Sequence, residues 1–103
     1  MKKVEIQMTQ GSGDVFTDLG FSASEAQNLR MRSQLMTALR KWIERESITQ
    51  AEAAKRLQVS QPRISDLLRG RISRFSLDAL VNLVGLTGIQ LDLRIKPAPR
   101  RAA

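Results

Sequence analysis

Apolar residues recur at helical spacing in a long segment that starts near Ser22 and runs to about Glu46. Ser22 and Glu25 have the S/T-x-x-E spacing of a capping box, in which two side chains satisfy free backbone N–H groups at the start of a helix. This pattern predicts the longest helix of the chain. Its predicted apolar face consists of Ala26, Leu29, Met36, Leu39 and Ile43.

Two shorter amphipathic segments follow, separated by a tight turn. Thr49 and Glu52 form a second capping box, and Ser60 is a favourable N-cap for the next helix. Pro62 suits the first turn of that helix, and Gly70 suits a left-handed cap at its other end. The spacing therefore predicts a helix-turn-helix. The apolar stripes of its two helices are Ala53, Ala54 and Leu57, then Ile64, Leu67 and Leu68.

A further helix and a strand complete the pattern. Ser76 is the predicted N-cap of a helix that runs through Val84. From Ile89 to Lys96 apolar and polar residues alternate strictly, which predicts a half-buried strand. One strand cannot satisfy its own backbone groups. It must therefore pair with the Val4–Met8 segment, with its copy in a second subunit, or with the sheet edge of a partner protein.

These elements divide the chain into four segments. Residues 22–88 are expected to form a helical domain with the helix-turn-helix at 49–70, and residues 89–96 a C-terminal strand. Residues 1–21 form an N-terminal arm that is either flexible or binds a partner. Residues 97–103 are expected to be a loose basic tail. The expected fold class is mainly α, with about four to five helices and a C-terminal strand that pairs in a dimer as one option.

Composition excludes several classes of function. At 103 residues and 42% hydrophobic residues, the chain suits one domain. It has no cysteine and no histidine, so disulfides, thiolate nucleophiles, zinc fingers and imidazole bases are excluded. A nuclease with a metal ion is disfavoured, because Asp14, Asp18 and Glu25 show no metal-ligand signature. We expect no enzyme activity, cofactor or metal.

No apolar run approaches the roughly 20 residues of a membrane span, and a cytoplasmic location is expected. The formal net charge is +7, and the basic residues cluster. Phosphate binding is the favoured interpretation of this cluster, ahead of a merely solvated surface or an anionic membrane surface. Residues 55–74 contain one carboxylate, Asp66, and six cationic side chains: Lys55, Arg56, Arg63, Arg69, Arg71 and Arg74.

Four features stand at fixed spacing in this region: the pair Thr49-Gln50, the small residue Ala54, the pair Ile64-x-x-Leu67 and the exit Arg69-Gly70-Arg71. With the residues up to about Leu83, they resemble the Xre/Cro family of phage-repressor-like domains. The resemblance implies a lambda-repressor-like bundle that binds DNA. Gln58 departs from the family pattern, which usually has glycine at the turn, and a positive φ there would strain it.

A wider resemblance covers most of the chain. It rests on Val15-Phe16-x-Asp18-Leu19-Gly20-Phe21, Glu25-Ala26-x-Asn28-Leu29, Arg32-Ser33-x-Leu35-Met36, the Gln61–Leu67 segment and Phe75-Ser76-Leu77-Asp78-x-Leu80-Val81. These motifs resemble the small Xre-type, HigA-like antitoxins of bacterial type II toxin–antitoxin modules. The resemblance implies a repressor of its own operon that also neutralises a toxin, often a RelE-like ribonuclease. The alternatives are a free-standing Xre-type regulator with no toxin partner and an adaptor that no longer binds DNA.

The resemblance also implies how DNA is bound. The helix that starts at Ser60 would enter the major groove N-terminus first, and a homodimer would bind an inverted repeat in double-stranded operator DNA. Base contacts are expected from Gln61, Arg63 and Ser65, because arginine matches guanine and glutamine matches adenine. Contact of Arg63 with phosphate alone is the alternative. The DNA backbone would be held by Gln50, Lys55, Ser60, Arg69, Arg71 and Arg74.

Two further side chains in these helices are ambiguous. Asp66 is expected to pair with Arg63 or Arg69 rather than to read a cytosine. Trp42 is expected to lie in the core rather than to stack on a base.

Overall fold

The computed structural model describes residues 3–8 and 15–98 of the chain. The mainly α fold with a helix-turn-helix and a C-terminal strand is confirmed. The predicted tail lies outside the described residues from position 99 onwards. In chain order the elements are β1 (Lys3–Met8), α1 (Val15–Asp18), α2 (Ala23–Glu46), α3 (Gln50–Leu57), α4 (Gln61–Leu68), the 3-10 turn Ile72–Arg74, α5 (Leu77–Gly85) and β2 (Gln90–Ile95).

The four predicted N-caps are all present. Each hydroxyl accepts a hydrogen bond from the backbone N–H three residues further along, at Ser22, Thr49, Ser60 and Ser76. At α3 the capping box is closed in both directions, because Thr49 N–H donates to Glu52 Oε1 and Glu52 N–H donates to Thr49 Oγ1, both at 3.1 Å. The backbone hydrogen bond from Thr49, and then the one from its hydroxyl, lower the pKa of Glu52 below its usual value.

The core surrounds α2, which packs against α1, α4, α5 and the 3-10 turn. Leu29, on the predicted apolar face, is only half-buried, whereas Leu35 and Ala38 lie beside that face and are buried. Because other elements cover α2 from several sides, it buries a wider face than a single stripe. The core residues expected from its second half are buried: Met36, Leu39, Trp42 and Ile43.

The turn between α3 and α4 contains the strained residue that the sequence indicated. Gln58 adopts a left-handed conformation with φ 58° and ψ 41°. Two hydrogen bonds hold it there, from Gln58 N–H to Lys55 O at 3.3 Å and from Val59 N–H to Ala54 O at 3.0 Å. A left-handed residue that is not glycine costs about 1–2 kcal/mol. The turn therefore keeps the short connection between the two helices at a cost in stability.

The predicted strand finds its partner within the same chain. β2 pairs with β1 in parallel, and the register aligns Val4 with Leu91 and Ile6 with Leu93. Of the three pairing options, the structure thus supports the Val4–Met8 segment. Only the first half of β2 packs on the core: Ile89, just before the strand, is buried and Leu91 is half-buried, while Leu93 and Ile95 remain 59% and 76% exposed.

Candidate nucleic-acid interface

Helices α3 and α4 bury one face each against the core and leave the other face outside. α3 buries Ala53, Ala54 and Leu57, and α4 buries Ile64 and Leu67. The first turn of α4 is open to solvent, with Gln61 and Pro62 exposed. Pro62 has no N–H and a side chain without polar atoms. In the first turn of α4, the exposed polar side chain is therefore that of Gln61. The arrangement leaves the N-terminal end of α4 free to contact a ligand surface.

The side chain of Arg63 folds back onto the segment that precedes α5. Its Nη1 donates a hydrogen bond to the carbonyl oxygen of Arg74. Its Cζ lies 4.1 Å from the centroid of the Phe75 ring, within cation–π distance. In the protein without DNA, Arg63 is therefore already bound to a backbone acceptor and an aromatic face. To reach a base edge it must leave both.

Asp66 pairs with a different arginine from those expected. The Nε atom of Arg71 lies 3.7 Å from Asp66 Oδ1, and Arg71 N–H donates to Asp66 O at 3.0 Å. The expected pairing with Arg63 or Arg69 is wrong. The physical reason is Gly70, whose positive φ of 71° turns the chain back over the end of α4 and brings Arg71 beside Asp66.

Other members of the basic cluster differ in their surroundings. Arg56 forms an ion pair with Glu46 at 2.7 Å and lies over the ring of the buried Trp42, at 5.8 Å from its centroid. Its charge is therefore partly compensated at the junction of α2 and α3, and the core position expected for Trp42 is confirmed. Besides Arg56, the exposed cations around α3, α4 and the 3-10 turn are Lys55, Arg69, Arg71 and Arg74.

The remaining predicted contact residues lie on or beside the two helices. Gln50 is exposed in the first turn of α3, and Ser60 is exposed as the N-cap of α4. Ser65 is half-buried on the flank of α4. Among the predicted site residues, the Arg63 side chain donates to Arg74 O, and the Ser60 hydroxyl accepts from Arg63 N–H. Gln50, Lys55, Ser60 and Gln61 are placed on exposed positions of the same two-helix unit.

A family model described as a helix-turn-helix domain matches residues 15–96 of the chain. The chain belongs to this helix-turn-helix family. A solved structure described as a transcriptional regulator of the XRE family is 32% identical, with a TM-score of 0.68 over 77% of this chain and 90% of that chain. The protein is therefore an Xre-type, DNA-binding transcriptional regulator. No curated protein matches the chain.

Proteins of this helix-turn-helix type are generally regulators and not enzymes. In the part of this regulator that the structure describes, no helix is both long and apolar enough to cross a membrane. Over the same residues, no group of three or more aspartate or glutamate side chains is arranged to hold a metal ion.

Two residues of this Xre-type regulator support the site in a way that was not predicted. Arg32 on α2 donates from Nη1 to the carbonyl oxygens of Ile72 and Phe75, at 3.1 Å each, and its Nε donates to Asn28 Oδ1 at 2.7 Å. Phe75 is buried beneath the Arg63 guanidinium. Two arginines, Arg32 and Arg63, thus donate hydrogen bonds to carbonyl groups of the segment between α4 and α5. Arg32 belongs to the Arg32-Ser33-x-Leu35-Met36 motif of the wider resemblance, but no local sequence pattern indicated that it would contact the segment after α4.

Proposed function

We propose that this Xre-type regulator is a sequence-specific repressor that binds an inverted-repeat operator as a homodimer, with α4 in the major groove. The observation that carries the proposal is the exposed first turn of α4, together with the exposed cations Lys55 on α3 and Arg71 and Arg74 after α4. The phosphates that line the major groove attract these cations, and the exposed N-terminal end of α4 then meets the base edges.

Gln61, Arg63 and Ser65 are the proposed base contacts. Gln61 is exposed at the leading end of α4 and has the donor and acceptor that adenine requires. Arg63 has the fork of donors that guanine requires, once it releases the carbonyl of Arg74. The proposed contacts to the DNA backbone, which give affinity without sequence information, are Gln50, Lys55, Ser60, Arg69, Arg71 and Arg74.

Replacing Arg63 by alanine tests the base contact. Loss of a bidentate arginine–guanine contact costs about 1–3 kcal/mol on the operator and less on random DNA. We therefore expect the ratio of operator affinity to random-DNA affinity to fall in a titration at fixed salt. The control is Arg74→Ala, which should weaken both DNAs alike and lower the salt dependence by about one phosphate contact. Equal losses on both DNAs for Arg63→Ala would assign Arg63 to phosphate.

The homodimer is proposed from the strand pair at the end of the fold. Two-stranded sheets are marginal alone, and parallel strands are usually covered on both faces. Here Leu93 and Ile95 are exposed, and within residues 3–8 and 15–98 β2 pairs with β1 alone. A second copy related by a two-fold axis would cover these residues. Dimers of helix-turn-helix proteins bind half-sites about 34 Å apart, and we expect the same spacing for the two α4 helices of this dimer.

A second proposed function is that of an antitoxin, which neutralises a RelE-like toxin and represses the operon that encodes both. The favouring observation is apolar surface outside α3 and α4, since Val15, Leu19 and Phe21 are exposed around α1. DNA binding alone does not require these residues. A free-standing regulator with no toxin partner remains the alternative. A small basic protein encoded by the neighbouring reading frame would support the antitoxin.

The double substitution Val15→Ser with Leu19→Ser tests the toxin surface. It should leave operator binding unchanged and weaken binding of the co-encoded protein, measured by calorimetry on the two purified proteins. The matched control, Val81→Ser with Leu86→Ser, removes the same two side-chain types from exposed positions around α5. Substitution is cleaner than deleting the arm, because deletion would also unpair β2 from β1. Unchanged affinity in the α1 variant would place the toxin surface elsewhere.

A further inference from the structure

Asp66 lies toward the flank of the outward face of α4, where it is half-buried beside the exposed residues Pro62 and Arg69. With about 3.6 residues per turn, positions 62, 66 and 69 fall opposite the buried residues Ile64 and Leu67. If α4 lies in the major groove as proposed above, this face points at the base pairs. A carboxylate there is repelled by DNA phosphates. Its presence among cations that favour DNA therefore calls for a specific partner.

In the protein without DNA, that partner is Arg71. The distance of 3.7 Å between Arg71 Nε and Asp66 Oδ1 is too long for a hydrogen bond, and 23% of the Asp66 side chain is exposed. The pair is thus held by charge and by the backbone hydrogen bond from Arg71 N–H to Asp66 O. Such a pair is weak in water, so a DNA phosphate can take the Arg71 guanidinium.

Once a phosphate binds Arg71, the carboxylate of Asp66 loses its charge partner and needs a hydrogen-bond donor, because an ionised carboxylate only accepts hydrogen bonds. In the major groove guanine offers two acceptors, and thymine offers one acceptor and a methyl group. Adenine offers one donor next to an acceptor. Cytosine offers an amino donor and no acceptor of its own. Cytosine is therefore the base that satisfies Asp66 without repulsion from the same base.

We propose that Asp66 is a specificity-determining residue that selects cytosine at one position of each operator half-site and weakens binding to random DNA. On binding, Arg71 moves its charge from Asp66 to a phosphate, and the cytosine amino group replaces it. Sites without cytosine leave the carboxylate buried without a donor, which is costly. The inference rests on the proposed placement of α4 in the groove.

The test compares Asp66→Asn with the wild-type chain. Operators are first selected from a random DNA pool by each protein, and affinities for the selected sequences and for random DNA are then measured at one salt concentration. Asparagine pairs with adenine. We therefore expect one cytosine position of the wild-type site to become adenine, and binding to random DNA to tighten about tenfold when the carboxylate is removed. The control Asp78→Asn removes an exposed carboxylate from the first turn of α5 and should leave the selected sequence unchanged.

Three outcomes overturn the inference in distinguishable ways. If Asp66→Asn selects the same sequence as the wild-type chain, Asp66 does not read a base. If it tightens operator and random DNA by the same factor, the residue acts only through its charge. If the wild-type chain enriches no sequence at all, the proposed function itself fails, and the role of Asp66 fails with it. An Asp66→Ala variant, which should lose the cytosine preference without gaining adenine, separates loss of the acceptor from misfolding.

Discussion

A Phe75→Ala variant should lose about 3–5 kcal/mol of the free energy of unfolding. Phe75 is 1% exposed and belongs to the main hydrophobic cluster, so truncation leaves a cavity next to the start of α5. The loss is large compared with the 5–15 kcal/mol or so that holds a typical domain folded. It should appear as a lower midpoint in urea-induced unfolding followed by circular dichroism.

The matched control for Phe75→Ala is Phe21→Ala, which makes the same chemical change at a residue that is 40% exposed. It should cost less than about 1.5 kcal/mol, mainly through the edge-to-face contact with Phe16. Equal losses in the two variants would contradict the central position of Phe75. Phe75→Leu keeps most of the apolar volume but removes the ring under Arg63. A change in DNA specificity without a comparable loss of stability would then identify the ring as a support for Arg63.

A Leu93→Lys variant should convert the proposed dimer into a monomer. The change places a charge in the exposed apolar part of β2. A second copy that covers this surface would have to bury the charge, which is costly. A monomer loses the gain from binding two half-sites at once, so operator affinity should fall by about 10²–10⁴-fold. Sedimentation measures the first effect, and an electrophoretic shift with one-half-site and two-half-site DNA measures the second.

Gln90→Lys is the control, because it adds the same charge to the exposed opposite face of β2. It should leave the sedimentation coefficient unchanged and alter operator affinity only slightly. A wild-type chain that sediments as a monomer and protects one half-site would contradict the dimer directly. A Leu93→Lys variant that still dimerises would move the interface to another surface.

Local patterns in the sequence were sufficient to predict α2 to α5 and their starts, but not the short helix α1 at Val15–Asp18, which lies in the predicted N-terminal arm. The capping residues Ser22, Thr49, Ser60 and Ser76 act on N–H groups three positions away, so short motifs contain the whole interaction. The left-handed conformation of Gln58 was indicated by the family resemblance, since the family usually has glycine at that position of the turn.

Apart from the pairing of β1 with β2, which was one of three options, the sequence did not predict contacts between residues far apart in the chain. Arg63 contacts Arg74 and Phe75, and Arg32 contacts carbonyl groups 40 and 43 positions away. Neither contact leaves a periodic signal, since each depends on how α2, α4 and the following segment pack. The partner of Asp66 was predicted wrongly for a related reason, because helical spacing cannot account for the reversal of the chain at Gly70.

The pairing of β1 with β2 has a consequence for the order of folding. It joins Lys3 to Gln90, so its formation closes nearly the whole described chain into a loop, whereas α3 and α4 contact each other across a short turn. Contacts between distant residues carry a larger entropic cost and form late. The helix-turn-helix can therefore fold before the strand pair. Assembly of a dimer through β2 would then be the last step. When the native protein opens locally, the backbone amides of β2 should be the first to exchange with solvent.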